Sequence, residues 1–379
     1  MIENKNNLAG QKIVVGLSGG VDSAVAALLL KEQGADVHAL HMTNWEDDEG
    51  YCTAASDLQD ARQICEQIGV PLHHVNFARE YRQNVFEHFL NEYRSGRTPN
   101  PDVLCNREIK FGEFRRYSRR LGATLLATGH YARVRIVDGH AQLLKAADTA
   151  KDQSYFLHAV SEEALRETLF PLGEMQKSEV REIARNFGLH VSEKKDSTGI
   201  CFIGERPFRK FLASFLPSSP GPIRAIDGTT IGQHDGLMFY TIGQRQGLGV
   251  GGRRDAENAP WFVAAKDLEN NALIVVQGEN ELLYCDHLVS GPVHWIGDPP
   301  TMLLRKGAMP CAAKVRYRQS DQACLIRRAA DSSVEVLFEL RQRAVAPGQY
   351  AVFYAGERCL GGAPVLRLLS STDALRAAV

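Results

Sequence analysis

No two of the eight cysteines stand three residues apart; they occupy positions 52, 65, 105, 201, 285, 311, 324 and 359. That spacing excludes the Cys-x-x-Cys pairs of zinc ribbons and thioredoxin-type sites. The dipeptide Gly-Lys is also absent, which removes the Walker A loop, because that loop sets Gly-Lys-Ser or Gly-Lys-Thr at its helix start. Long hydrophobic runs are missing. The longest early one, 24–30, falls far short of the roughly 18 residues of a membrane helix, and the polar, Asn-rich first eleven residues do not read as an export signal. We therefore expect a protein of the cytoplasm with no membrane partner, its cysteines beginning as free thiols. An excess of one charge is lacking too. With 44 Lys plus Arg against 45 Asp plus Glu the net charge is −1, so a polyanion would have to be met by a local patch.

What remains is the balance of a globular chain, 44% hydrophobic and 23% charged over 379 residues, long enough at about 150 residues per domain for two or three domains. From residue 12 to about 161, short apolar runs alternate with helical patterns. Residues 12–17, 37–42, 72–75 and 124–128 read as strands, and 22–33, 54–68 and 80–93 as helices. Strand, helix, strand at this spacing predicts a parallel sheet covered on both faces. Ligands of such sheets bind beyond the carboxyl ends of the strands.

Gly16, Leu17, Ser18, Gly19, Gly20, Val21, Asp22 and Ser23 occupy that position between the first strand and the first helix. Glycines and a serine let the backbone turn tightly with its amides outward, and the helix adds its positive end, so the segment reads as an anion cradle. Gly247, Gly249 and Gly252 satisfy Gly-x-Gly-x-x-Gly, but Arg253, Arg254 and Asp255 follow where a helix should begin. We read that stretch as a loop rather than a dinucleotide site.

Two cysteines sit in chemically loaded surroundings. Cys105 follows the turn Asn100-Pro101 near the start of a helix running to about Arg120, with Arg107 and Lys110 close by, a setting that favours thiolate. Asp102 would cap that helix or move protons. Cys201 lies in a loop flanked by Lys194, Lys195 and glycines, electropositive and free to travel. The pair suits redox work, one sulfur carrying a sulfane atom and the other resolving a disulfide.

Ser-Gly-Gly-x-Asp-Ser after the first strand resembles the pyrophosphate loop of the N-type ATP pyrophosphatases, which split ATP between its α and β phosphates. That loop by itself leaves the acceptor open. Further segments narrow it: 42–48, 100–111, Ala127-Thr128-Gly129-His130-Tyr131-Ala132, 151–157, 196–205, 243–249 and 314–319 resemble, in order, the bacterial tRNA 2-thiouridylase family. The resemblance implies adenylation of the C2 oxygen of the wobble uridine in the tRNA anticodon loop, then sulfur transfer, with ATP and magnesium and with a persulfide sulfur-donor protein as partner. It also implies site residues. The loop from Gly16 to Ser23, with Met42 and Gly129, would bind ATP, and Asp22 would help hold magnesium. Cys201 would carry the persulfide, Cys105 would be the partner nucleophile, and Asp102 would transfer protons, sitting with Asn100 and Pro101 against the target base. His130, Lys151, Asp152, Gln153, Arg316, Tyr317 and Gln349 would touch tRNA.

After Pro217 the pattern changes to short alternating runs with turns at Asp227-Gly228, Asp235-Gly236 and Asn270-Asn271, and it changes again near 290–292. The expected architecture is α/β: a parallel-sheet ATP pyrophosphatase (adenine nucleotide alpha hydrolase-like) domain over 1–216, a small mostly-β domain over 217–288, and a C-terminal β-barrel over 289–379. Runs 312–316, 323–328 and 333–338 read as barrel strands. Local charge fits a tRNA contact. Residues 301–360 hold 10 Lys plus Arg against 5 Asp plus Glu, and 79–120 hold 10 against 6.

Overall fold

The computed structural model describes residues 8–46, 54–195, 208–250 and 259–369. Cys201, with the rest of 196–207, lies outside them, as does Gly252.

The N-terminal part is built on β1 (Lys12–Gly16), α1 (Val21–Glu32), β2 (Asp36–Thr43), α2 (Ala54–Ile68) and β3 (Leu72–Asn76). Helical segments over 78–94 (α3) and 101–120 (α4) follow, then β4 (Leu125–Thr128), β5 (Arg133–Val137), β6 (His140–Leu144), β7 (Thr168–Leu169) and α5 (Lys177–Phe187). The strands form a parallel sheet in the order β3-β2-β1-β4-β7. Helix α1 is apolar nearly all round, with Ala24, Val25, Ala26, Ala27, Leu28 and Leu30 buried, as a helix must be when it is covered by sheet on one side and by α5 on the other. Successive strands run one way from β1 to β2 and β3 and the other way to β4. The crevice at the carboxyl ends of β1 and β4 is therefore the topological switch point, where this architecture binds ligands. Gly16 pairs with Thr128 there.

A second sheet has the order β10-β11-β8-β9, from β8 (Gly221–Ala225), β9 (Thr230–His234), β10 (Trp261–Asp267) and β11 (Ala272–Gln277). The third contains β12 (Tyr284–Ser290), β13 (His294–Trp295), β14 (Ala308–Lys314), β15 (Gln322–Arg328), β16 (Val334–Arg343), β17 (Tyr350–Ala355) and β18 (Arg358–Leu369). The order β12-β16-β15-β14-β17-β18 closes on itself because β12 also pairs with β18. The result is a barrel without free edges, which abolishes the aggregation hazard of an open sheet. Its interior is filled by Leu288, Ile326, Val336, Ala351, Phe353 and Val365, all fully buried.

The β5–β6 hairpin, which has no counterpart in the sequence reading, leaves the first sheet and joins β18, where Arg358 pairs with Leu144 and Cys359 with Leu143. The N-terminal part and the barrel thus share a continuous ladder. A second clamp forms where the Thr98 N–H donates to the Pro347 carbonyl at 2.9 Å. Among the described residues no helix is long and apolar enough to cross a membrane, and the described cysteines are free thiols.

Candidate functional site

The cradle forms as its residue types dictate. Gly19 has φ +80°, and a Cβ there would stand 2.5 Å from the Asp57 carbonyl oxygen, so only glycine lets the loop lie against α2. Gly20 takes the N-cap position of α1 in extended conformation. The Ser23 hydroxyl folds back on the loop, donating to the Gly20 carbonyl at 3.0 Å and accepting from the Ser18 N–H at 3.2 Å. His41, buried on β2, meets the Leu17 carbonyl through Nδ1 at 2.8 Å; burial lowers its pKa, so the ring is neutral and donates. Gly129 completes the wall: a Cβ on it would come within 2.7 Å of the Ser23 nitrogen. Met42, half-buried at the end of β2, packs on the same edge.

Two lysines converge on this loop. The Lys177 ammonium donates to both carboxylate oxygens of Asp22, at 2.6 and 2.7 Å, and the Tyr131 hydroxyl donates to one of them at 2.8 Å. Lys194 donates to the Gly19 carbonyl at 3.1 Å while paired with Asp57 and Asp60. Burial works against its charge, yet the two carboxylates hold its pKa above the usual range. Lys177 escaped the sequence reading because 155 positions separate it from Asp22; no local pattern marks it. Lys194 was visible as a basic residue, but its place beside the cradle was not.

Helix α4 carries the candidate nucleophile. Asn100, not Asp102, caps it, its side chain accepting from the Asp102 N–H at 3.2 Å, with Pro101 in the first turn. This corrects the capping alternative and leaves the Asp102 carboxyl for other work. Burial pushes that carboxyl above its ordinary pKa, with Lys110 pulling partly back. Cys105 is 1% exposed and packs with Leu104, Ile109 and Phe114. From Cys105 the chain winds in wider, π-type turns to Glu113, an energetically poor geometry that proteins tend to keep at functional sites. Phe114 from the same helix would be 3.3 Å from a Cβ on Gly16, so α4 closes the cradle from the β4 side. Cys201 lies outside the described residues.

The residues expected at tRNA divide into two groups. Lys151 and Gln153 are half-buried at the seam with the barrel, where the Tyr317 hydroxyl donates to the Lys151 carbonyl at 3.2 Å and Gln153 accepts from the Tyr131 N–H at 2.9 Å. Arg316 is exposed and donates to the Ala344 carbonyl, while Gln349 donates to the Thr98 carbonyl at 2.8 Å, next to Asn100 and Pro101. His130 and Asp152 differ from expectation. His130 is 9% exposed, its Nδ1 2.8 Å from the Thr128 hydroxyl, and burial holds its pKa well down. Asp152 is 5% exposed and accepts from the Ala146 and Ser154 N–H groups and the Ser154 hydroxyl. Neither side chain presents a polar face to RNA in this arrangement.

The basic stretch 79–120 also changes meaning. Arg115 and Arg119 pair with Glu163 and Glu167, Arg97 with Glu92, and Arg116 with Glu113. Glu163 and Glu167, folded in from outside the stretch, offset half of its excess of four positive charges. Along this edge lie the glycine-rich loop, a helix with a buried thiol and a half-buried carboxyl one turn apart, and contacts supplied by the barrel.

Comparison with known proteins matches these parts one by one. The family described as "tRNA methyl transferase HUP domain" matches residues 11–205, "tRNA methyl transferase PRC-barrel domain" matches 209–277, and "Aminomethyltransferase beta-barrel domain" matches 285–365. The tRNA-specific 2-thiouridylase MnmA of Chromohalobacter salexigens is 58% identical over 355 residues, 93% of this chain and 91% of that protein. The proteins of the same name from Stutzerimonas stutzeri and Aeromonas salmonicida are 57% and 53% identical over 354 residues, 93% of this chain, and are covered to 93% and 95%. The family descriptions speak of methyl transfer, whereas these relatives are named for thiolation. With more than half its positions shared along nearly its whole length and the loop of the ATP pyrophosphatases in place, the chain belongs to the tRNA-specific 2-thiouridylases, PP-loop enzymes that use ATP in putting sulfur into tRNA.

Proposed function

We propose that this chain adenylates the C2 oxygen of the wobble uridine in a tRNA anticodon loop and then replaces that oxygen with sulfur carried as a persulfide on Cys201. The observation that supports the reading is that α4, the helix of Asp102 and Cys105, sets its Phe114 against Gly16 at the start of the loop. A carbonyl at C2 is a poor electrophile with no leaving group, and adenylation supplies one. The cradle amides, Lys177 and Lys194 neutralise the phosphates, with Met42 and Gly129 bounding the nucleotide. The target base leaves its stack and rests against Asn100 and Pro101. Asp102, its pKa raised by burial, takes the N3 proton as the C2 oxygen attacks the α-phosphorus and pyrophosphate departs.

Sulfur transfer follows. The terminal sulfur of the Cys201 persulfide bonds to C2, and AMP leaves with the oxygen. Cys105 then attacks the Cys201 sulfur; the S–S bond breaks with its electron pair on the C2 sulfur, giving 2-thiouridine and a Cys105–Cys201 disulfide. An external thiol reduces that disulfide, and a persulfide donor protein of the same cytoplasmic compartment reloads Cys201. His130 and Asp152, being buried, shape the rim that Lys151, Gln153, Arg316, Tyr317 and Gln349 offer to tRNA.

Magnesium fits this donor set in company with the nucleotide. Among the described residues no cluster of three or more His, Cys, Asp or Glu exists, while a single carboxylate plus phosphates is a common arrangement for this ion. Asp22 would hold it, and it would offset phosphate charge. The decisive experiment is mass spectrometry of tRNA nucleosides after incubating unmodified tRNA with the protein, ATP, magnesium and a low-molecular-weight persulfide as sulfane donor. A gain of one sulfur for one oxygen at the wobble uridine, lost in Cys201→Ser with ATP and tRNA binding kept, is expected. AMP formation driven by a small amine or acid and not by tRNA would overturn the reading.

A further inference from the structure

Cys311 and Cys324 have no part in the reaction proposed above, yet the barrel sets them against each other. They stand directly opposite in the β14–β15 ladder, and residues so paired send their side chains to one face of the sheet. That face is the barrel interior: Met309 and Ala313 on β14 and Cys324 and Ile326 on β15 belong to its core, and Cys311 packs against it. The two Sγ atoms are 3.6 Å apart and share a hydrogen bond. That bond and burial hold the Cys311 thiol above its ordinary pKa, so the resting pair is a dithiol.

The two thiols differ in access. Cys324 is 4% exposed, with Cys311 on one side and Phe338 of β16 on the other. Cys311 is half-buried, since the ladder of β14 with β17 runs from Ala312 to Lys314 and stops short of it. A small reagent can meet the first sulfur and leave the second to close on it. Closure demands a shift. Cβ atoms of facing residues in such a ladder stand about 5 Å apart, against about 4 Å in a disulfide, so the strands must draw together. A bond made under that strain is readily reduced, which suits a reversible device better than a permanent staple.

The position gives the pair an output. Residues 315–321, which carry Arg316 and Tyr317, join β14 to β15. That loop is held from outside the hairpin, by the Arg316 donation to the Ala344 carbonyl and by the Tyr317 hydroxyl on the Lys151 carbonyl at 3.2 Å. Drawing the two strands together moves the loop against those fixed partners. Resting on the thiouridylase reading, we propose that Cys311 and Cys324 are a site of reversible oxidation by hydroperoxides, and that the disulfide weakens the hold of Arg316 and Tyr317 on tRNA. The Cys311 sulfur, giving up its proton, attacks one oxygen of hydrogen peroxide; the O–O bond breaks, water leaves and Cys311 becomes a sulfenic acid. The Cys324 sulfur then attacks the Cys311 sulfur; the S–O bond breaks, and a second water leaves with the Cys324 proton. Two thiols and one peroxide thus give one disulfide and two waters. An external thiol reverses the change by exchange.

The test treats the full-length protein with hydrogen peroxide, blocks the remaining thiols and maps the tryptic peptides. Residues 307–314 and 319–327 form two such peptides with one cysteine each. They are expected joined, two hydrogens lighter than their sum, and separate again after dithiothreitol. Binding of tRNA by the same samples is expected to be about fivefold or more weaker in the oxidised protein and to recover on reduction. Cys311→Ser is expected to bind like the reduced parent with and without peroxide, which sets this pair apart from oxidation at Cys105 or Cys201; Cys311→Ala replaces it should the serine variant fail to fold. Protein that binds tRNA but yields no joined peptide, a joined peptide with unchanged affinity, or an equal peroxide effect in the variant would each overturn the proposal. Reduced parent that neither binds nor thiolates tRNA would overturn the thiouridylase reading, and with it the effect on RNA.

Discussion

Asp102 illustrates a conflict between stability and use. Burial raises the pKa of its carboxyl, and Lys110 offsets only part of that. With the folded pKa above the unfolded value, the folded state binds the proton more tightly, so its contribution to stability is complete below about pH 4 and is lost as pH rises through the folded value. Asp102→Asn removes that loss. We expect the variant to melt higher than the parent at pH 7 to 8, with the difference closing near pH 3, while single-turnover thiolation drops by about 100-fold or more. Calorimetry over pH together with a quench assay checks both; a lower melting temperature at pH 8 would contradict the account. The local shape around Asp102, Cys105 and the Gly16 to Ser23 loop is legible in the sequence because each sits in a contiguous motif set by glycine, proline and a helix start. The place of Lys177 is not, since it comes from Asp22, and neither is the burial of His130 and Asp152, because burial leaves no mark on a single residue's identity.

The elements show the same division. Helix α1 begins where Gly20 can cap it, and the loop before it depends on Gly19 lying against α2. Gly19→Ala places a Cβ 2.5 Å from a backbone oxygen at φ +80°, and should lose about 1–3 kcal/mol of stability and at least tenfold in ATP affinity. Gly122→Ala is the control, having φ +82° with nothing within 4 Å of the new Cβ, so it meets only the conformational cost. Denaturant melts and ATP titration of the two variants separate strain from collision; similar losses in both would remove the role given to the Asp57 contact. The helix expected over 54–68 and the strands around 12–17, 37–42 and 72–75 appear within two residues of the reading, because period and punctuation are local signals. The β5–β6 hairpin was invisible as a part of the barrel sheet. Its partner strand begins more than 200 residues later, and nothing in 133–144 names β18.

Across the whole molecule, the near-zero net charge averages opposed surfaces. Four of the ten cations of the N-terminal basic stretch pair with Glu92, Glu113, Glu163 and Glu167, so we propose the exposed barrel residues Arg316 and Arg318 as the better phosphate contact. tRNA affinity is expected to fall steeply with salt, with Arg316→Gln lowering the slope of log affinity against log salt by about 1, whereas Arg115→Gln, removing a paired charge, leaves the slope unchanged. Filter binding from low to moderate salt checks this, and equal slopes for parent and Arg316→Gln would exclude that contact. By itself the sequence determined the parallel sheet, the glycine-rich loop after its first strand, the absence of zinc and Walker motifs and the family, since each rests on neighbours in the chain or on ordered motifs. Only the tertiary structure decided which charges are paired, that Lys177 and Lys194 meet the loop, that Cys105 is buried, and that a cavity opens beside α4. Those properties belong to distances between residues far apart in the chain, and burial, pairing and cavity walls exist only once the chain has closed on itself.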